Sequence, residues 1–330
     1  MLKTEIASLM NESGRMFNWA TKVDKNLNMT SEDKEISQVV DAWAKSIGEK
    51  GIDTNNEIAE YIVKTVQPEV YDVPDEMLSA MFTRGSVGEF DDFQINTAPK
   101  NTLKAIDAAK GGNVDKSYLD FSNVKPTWKH KQVETEIRYS DLRRNGFKTI
   151  ATMTTFAEES LKNQMFFDVL NAVDTLITSP SAQGFAAGGS APTPVTMDAL
   201  ALYLMDRGSS PFVITLSKYA QAIARMTGQS TFMSDTMKDE YNRYGTVNFY
   251  NGIQIRTISG AHKTSQDQLL IPDLRIFGIA SPIGELDMRG SLRVYETMDN
   301  NKEVVDIKIT GFEFGYALNR LDKIAKVVMV

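Results

Sequence analysis

One uninterrupted stretch, TIATMTTFAEESLKNQMFFDVLNAVDTLI at residues 149–177, restricts the folds open to this chain more than any other feature. Ile150, Met153, Ala157, Leu161, Met165, Val169, Val173 and Ile177 recur every three or four residues, the spacing that aligns side chains along one helical face. At about 1.5 Å per residue this helix extends roughly 40 Å, long enough to form the backbone of a flat domain. Thr155 with Glu158 offers a second helix start inside it.

The sequence before this helix divides in two. Thr30 with Asp33 has capping-box spacing ahead of Ile36, Val39, Val40, Trp43 and Ile47, and Gly48 and Gly51 are expected to stop that helix. Thr54 with Glu57 repeats the device before Ile58, Tyr61, Ile62 and Val66, with Pro68 as the expected end. These short helices form an arm that must lie on something. From Phe90 the pattern turns extended and then becomes a clear strand, in which Val133, Ile137 and Tyr139 alternate with Glu134, Glu136 and Arg138. Between these extended runs lies KNTLKAIDAAKGGNVDKSYLDFSNVKPTWKHK, residues 100–131, with seven lysines, one histidine and three aspartates. An insertion of that length inside a compact domain is functional or disordered, and Tyr118, Phe121 and Trp128 argue against simple disorder.

After the long helix, TSPSAQGFAAGGSAPTP at 178–194 has the composition of a linker and marks the expected domain boundary. TMDALALYLMDRG, PFVITL and SKYAQAIARMTG then alternate helix, buried strand and helix. A polar, Met-containing loop, QSTFMSDTMKDEYNRYG, precedes a hairpin turned by Asn251-Gly252. Near the C-terminus the apolar alternation Val305, Ile307, Ile309 changes phase to Phe312, Phe314, Tyr316, which predicts a bulge at Gly311.

Charge limits the function. The formal net charge of the 330 residues is -7, which argues against the whole surface gripping a phosphate backbone. Residues 1–99 carry 9 basic and 18 acidic side chains, whereas 100–148 carry 11 and 6, so a basic segment follows an acidic one. A chain that meets copies of itself can use that complementarity. With no cysteine there is neither disulfide nor zinc-thiolate site, which fits a reducing cytoplasm. No apolar run approaches the roughly 20 residues that cross a bilayer, and no secretory signal is expected.

Reactive constellations are missing. The two histidines, His130 and His262, lack metal-ligand spacing, and no nucleophile elbow, P-loop or dinucleotide fingerprint occurs. Ser31 to Lys34 and Ser122 to Lys125 match S-x-x-K, a pattern short enough to arise by chance. The acidic pairs Asp91-Asp92 and Glu158-Glu159 are the sole support for an Asp/Glu-dependent hydrolase, and adjacent acids are ordinarily solvated surface.

Taken in order, these parts resemble the major capsid proteins of tailed double-stranded DNA bacteriophages, a fold shared with encapsulins. The local text most like that family is YNRYGTVNFYNGIQIRTI, LLIPDLRIFGIASPIG and ITGFEFGYALNRLDKIAKVVMV. The resemblance implies an α+β chain: an N-terminal arm (1–75), a peripheral domain (76–189) with extended loop 95–131 and spine helix 145–178, an axial α/β domain (190–285), and C-terminal strands (286–330) returning to the peripheral domain.

It implies a structural protein, not an enzyme, that self-assembles through hexamers and pentamers into an icosahedral shell around DNA, with no cofactor, no metal and no membrane. A virion location follows, with assembly in the host bacterial cytoplasm. A portal, a decoration protein and packaged double-stranded DNA held without sequence-specific contacts are the further partners. A separate scaffolding protein is expected, because the arm is short and lacks a long charged coiled coil.

In this reading Lys104, Lys110, Lys116, Tyr118, Phe121 and Trp128 of the extended loop contact a neighbouring subunit, with Glu158 and Glu159 as candidate partner acids. Whether lysines or aromatics supply that contact stays open, since an exposed ion pair contributes only about 0–1 kcal/mol. Some relatives cross-link a loop lysine to a neighbour's asparagine; Lys104, Lys110 or Lys116 with Asn319 would be the pair, though no motif selects them. The alternative reading is an encapsulin compartment, which usually has a shorter arm and an inner cargo-peptide groove.

Overall fold

The computed structural model describes residues 6, 8–9, 11–50, 57–71, 76–88, 95–96, 107, 123–208, 210–226, 233–260, 263–264, 267–299 and 301–330. Two large sheets, of five and six strands, are joined by one long helix, and a third sheet has two strands only. The N-terminal part forms helices α1 (Ser13–Asp24), α2 (Ser31–Lys50), α3 (Glu57–Tyr71) and α4 (Glu76–Met81), followed by strands β1 (Phe82–Val87), β2 (Ile95–Asn96), β3 (Asn123–Val124) and β4 (Thr127–Arg138). Helices α5 (Tyr139–Asn145) and α6 (Phe147–Leu176) follow. Then come β5 (Gly184–Ala187), α7 (Pro194–Met205), β6 (Pro211–Leu216), α8 (Ser217–Ala224), α9 (Asp235–Tyr244), β7 (Phe249–Tyr250), β8 (Ile253–Ile258) and β9 (Arg275–Ala280). Strands β10 (Gly284–Arg289), β11 (Arg293–Asp299), β12 (Val304–Leu318) and β13 (Ile324–Met329) complete the chain.

Helix α6 is the expected spine, about 45 Å long over its 30 residues. All eight stripe residues are buried, and the helix runs unbroken through Thr155, whose hydroxyl donates to the carbonyls of Ala151 and Thr152 in the turn before. The second helix start at Thr155 is therefore not used.

The first sheet has the order β1-β10-β12-β11, with β4 on the remaining edge of β12. β12 is long enough to serve three partners: β11 along its first half, β10 along its second, and β4 along nearly all of it. The expected bulge lies between Ile309 and Phe312. Gly311 there has φ +81°, and a Cβ at this position would collide with the carbonyl of Ser291. The irregularity keeps Ile307, Ile309, Phe312 and Phe314 buried despite the change of phase.

The second sheet has the order β5-β13-β9-β6-β8-β7. Asn251 and Gly252, at φ 45° and 81°, turn the β7–β8 hairpin as their dipeptide predicts. Two features correct the sequence reading. The supposed linker contains β5, a Gly/Ala-rich strand held by parallel pairing to β13 and by the aromatic contact of Phe185 with Tyr203 at 6.3 Å. The polar loop contains α9, capped by Ser234 accepting from the Met237 N–H at 3.3 Å and ended by Gly245 in the left-handed region.

The C-terminal strands also divide: β11 and β12 lie in the first sheet, but β13 pairs with β9 and β5 in the second instead of returning with them. Buried Lys326 on β13 donates to the Asp174 carbonyl at 2.7 Å and to its Oδ1 at 2.9 Å, while Arg275 Nε on β9 reaches the same Oδ1 at 3.3 Å. The second sheet is thus tied to the C-terminal end of α6.

The N-terminal helices are not a free arm; they pack on the body of their own chain. Trp19, Trp43 and Tyr61 are fully buried, with Trp19 6.4 Å from Phe147 of α6 and Trp43 5.6 Å from Tyr61. Thr152 of α6 donates to Asp24 at 3.0 Å. The Thr30–Asp33 capping box forms in both directions, at 2.8 and 3.2 Å, and Lys22 pairs with Asp33 at 2.8 Å. These donors hold the Asp33 carboxyl at a pKa of about 2, the Lys22 bond contributing most.

Helix α2 continues through Gly48 to Lys50, and α3 continues through Pro68 to Tyr71. The last turn of α3 survives its proline because Val70 is buried and Tyr71 packs edge-on against Phe312 at 5.7 Å while donating to the Gly311 carbonyl at 3.1 Å. Thr54 lies outside the described residues. No described helix is long and apolar enough to cross a membrane.

Candidate assembly surface

Strand β4 carries the return path of the expected extended loop. Its sequence alternates, but of its twelve residues only Ile137 is buried. On one side it pairs with β12; among the described residues its other edge pairs with nothing. Next to that edge, between β4, α5 and α6, runs a groove of about 840 Å³. Val133, Thr135 and Ile137 form its strand wall, Met153, Phe156 and Ala157 its helix wall, and Glu134, Glu136, Asp141 and Lys148 are its charged lining. Phe156 is 58% exposed although the stripe residues on either side of it, Met153 and Ala157, are buried. Lys131 of β4 fixes the strand to α6 by an ion pair of 2.6 Å with Asp168.

A second polar row crosses the first sheet at the root of the same loop. Register places Gly85 of β1, Asp287 of β10, Gly315 of β12 and Trp128 of β4 side by side. The two glycines make room for the two side chains. A Cβ at Gly85 would collide with the Asp287 carboxylate, and one at Gly315 would sit 2.8 Å from the Trp128 ring. Asp287 is 2% exposed and its Oδ2 has no hydrogen-bond partner. Burial, reinforced by the charge of Glu285, raises its pKa to about 6. One row further on, Glu313 is flanked by His130 at 3.3 Å and Arg289 at 3.7 Å, and the Arg289 guanidinium lies 5.4 Å from the Trp128 ring centroid.

The residues expected to touch a neighbour are distributed unevenly. Lys104, Lys110, Lys116, Tyr118 and Phe121 lie outside the described residues. Trp128 is half-buried on its own sheet, between Gly315 and Arg289. Glu158 pairs with Lys162 one turn along α6, at 2.5 Å, so a neighbour's lysine would have to compete for it. Neither Glu158 nor Glu159 lines the groove. Phe156 and the groove acids were missed, although one signal was present: Phe156 is a large apolar residue off the register of the α6 stripe.

The molecule is thus an α+β chain with two large sheets tied by a long helix, and one long strand, β4, whose second edge pairs with nothing among the described residues. Among solved structures, this architecture matches a chain of Gordonia phage Cozz with a TM-score of 0.55 at 12% identity, over 78% of this chain and 87% of that one. It matches the capsid of a native GTA particle at 0.55 and 11% identity, over 77% and 89%. It also matches the asymmetric unit of the bacteriophage PhiM1 mature capsid at 0.51 and 9% identity, over 78% and 88%. No protein-family model matches the sequence, and no curated protein matches it. The chain has the fold of these phage and capsid structures.

Proposed function

We propose that this protein is the shell-forming subunit of a tailed-phage capsid, assembling through hexamers and pentamers into an icosahedral container for double-stranded DNA. The observation that carries this reading is the shared fold, which extends over 77–78% of this chain and 87–89% of the capsid and phage chains compared with it. The open edge of β4 and the groove beside it support it, because a shell subunit must present many moderate contacts to copies of itself and symmetry multiplies each one.

The role is structural and asks for no reacting group. The acidic net charge of -7 suits a wall that does not hold packaged DNA fast. A separate scaffolding protein, a portal and a decoration protein complete the proposed partners, with assembly in the bacterial cytoplasm and the virion as the final location.

Electron microscopy of the purified protein tests the proposal. Large icosahedral shells are the expected result; small uniform shells would move the assignment to an encapsulin, and a persistent monomer or dimer would end it. Repeating assembly at rising ionic strength separates the two contact chemistries of the loop. Loss of shells between about 0.1 and 1 M salt assigns the contact to lysines, whereas salt-independent assembly abolished by Trp128→Ala assigns it to aromatics.

A further inference from the structure

We infer that Asp287 is a proton-operated latch on the root of β4: neutral, it leaves Trp128 closed across Gly315, and ionised, it draws the Arg289 guanidinium off the ring and loosens the start of the strand. All parts of the latch lie within one chain, so it goes beyond the shell reading and does not depend on it. Asp287 and Trp128 flank Gly315 in one row of the sheet, and the Trp128 ring lies over that glycine, where no Cβ holds it off. The Asp287 carboxyl leans the other way, over Gly85, and its Oδ2 is buried without a hydrogen-bond partner. Such a group is tolerated as the neutral acid, but as an anion it must gain a donor or a cation.

Register selects that cation. The face around Asp287 carries Glu285 and Arg289 on β10, Glu313 on β12, His130 on β4 and Arg293 on β11. β1 brings no charge to it, because Arg84 is turned to the other side and donates to the carbonyls of Val70 and Tyr71. Arg289 stands two residues from Asp287 on the same strand and so on the same face. Its guanidinium lies 5.4 Å from the Trp128 ring centroid and only 3.7 Å from Glu313, a loose pairing that a nearer carboxylate can replace. His130 is engaged with Glu313 at 3.3 Å, one row further from Asp287.

The sign follows from burial, which with the charge of Glu285 raises the Asp287 carboxyl to about 6. An acid raised in this way favours the closed row fully below its ordinary value of 3.8, and that contribution is lost as pH rises through about 6. Between about pH 5 and 7.5 the closed row loses about tenfold in population against an open one whose carboxyl is solvated. Fluorine NMR of the full chain labelled with 5-fluorotryptophan reads the ring directly. Trp19 and Trp43 are buried, so the Trp128 resonance is the one that moves when D2O replaces H2O. It should titrate with a midpoint near pH 6, stay at its acid position in Asp287→Asn, and titrate unchanged in His130→Gln. In Arg289→Gln its excursion should be at most about half that of the natural chain.

A Trp128 resonance that does not move between about pH 4.5 and 7.5 overturns the latch, and so does a titration that persists in Asp287→Asn or vanishes in His130→Gln. A full excursion in Arg289→Gln overturns the role given to Arg289. Should Asp287→Asn not fold, Asp287→Ala removes the same ionisation and is read in the same way. Where the chain assembles into particles too large for NMR, hydrogen exchange by mass spectrometry decides. Corrected for the intrinsic pH dependence of exchange, protection of residues 127–131 should fall about tenfold from about pH 5 to 7.5 in the natural chain and less than about twofold in the Asp287 variant. Equal losses in both proteins overturn the inference.

Discussion

The helices between Ser13 and Tyr71 and the strand Thr127–Arg138 both carry regularly spaced apolar side chains, yet the first set is buried inside the subunit and the second is left largely at its surface. Helices α1, α2 and α3 each turn an apolar face inward, and Trp19, Trp43 and Tyr61, one from each, are fully buried there. Among the described residues β4 has one satisfied edge and one open one, and its burial is confined to Ile137. A segment that reaches full burial on its own chain contributes to folding; one that stops halfway keeps free surface for association. The tryptophan-bearing helices that read as an arm belong to the first kind.

The sharpest way to break this comparison is Trp19→Ala. A large cavity in a fully buried site costs about 3–5 kcal/mol, and the thermal midpoint should fall by several degrees or more. A loss below about 1 kcal/mol in a denaturant titration would mean that the helical layer is not part of the core.

Asp287→Asn tests the row beneath Trp128. The folded pKa of about 6 lies above the ordinary value of 3.8, so the contribution of this group is fully present below about pH 4 and is lost as pH rises through about 6. The variant should gain roughly 3 kcal/mol over the natural chain at pH 7.5 and well under about 1 kcal/mol at pH 4. Equal effects at the two pH values would show that the carboxyl is not desolvated.

Phe156→Ala sharpens the comparison from the other side. A side chain this exposed contributes less than about 0.5 kcal/mol to the isolated subunit, so chemical denaturation should hardly change while shell formation weakens. The smallest effect is expected for Glu158→Gln, which removes one turn-to-turn ion pair within α6 worth about 0.3–0.5 kcal/mol. If that variant abolished assembly, Glu158 would be a neighbour contact after all.

Much of the fold was legible because its signals are local and periodic. The α6 stripe, the Asn251-Gly252 turn and the phase change at Gly311 each follow from steric rules acting over a few residues. What was not legible depended on partners distant in sequence. Gly184–Ala187 has linker composition and becomes a strand only because β13 lies beside it. Pro68 should end α3, but the sheet under Val70 and Tyr71 holds the final turn. Helix α9 has only a short stripe, Met237 and Tyr241 packed against the core, among mostly polar residues, although Ser234 and Gly245 mark both of its ends. Of the candidate site, the lysine-dense segment stands out by charge alone. The groove does not, since it needs α6 and β4 to meet, and Phe156 is its one trace in the sequence.

The tie of Lys326, Asp174 and Arg275 makes α6 a lever arm. Its pivot is fastened to the second sheet, and its opposite end is seated under the N-terminal helices through Phe147 and Thr152. Tilting a rigid rod of about 45 Å by about 5° sweeps its tip through about 4 Å, and Phe156, about 27 Å from the pivot at Asp174, moves by about 2.4 Å, so a modest rotation of the second sheet reaches the groove as a displacement of about half the spacing between strands.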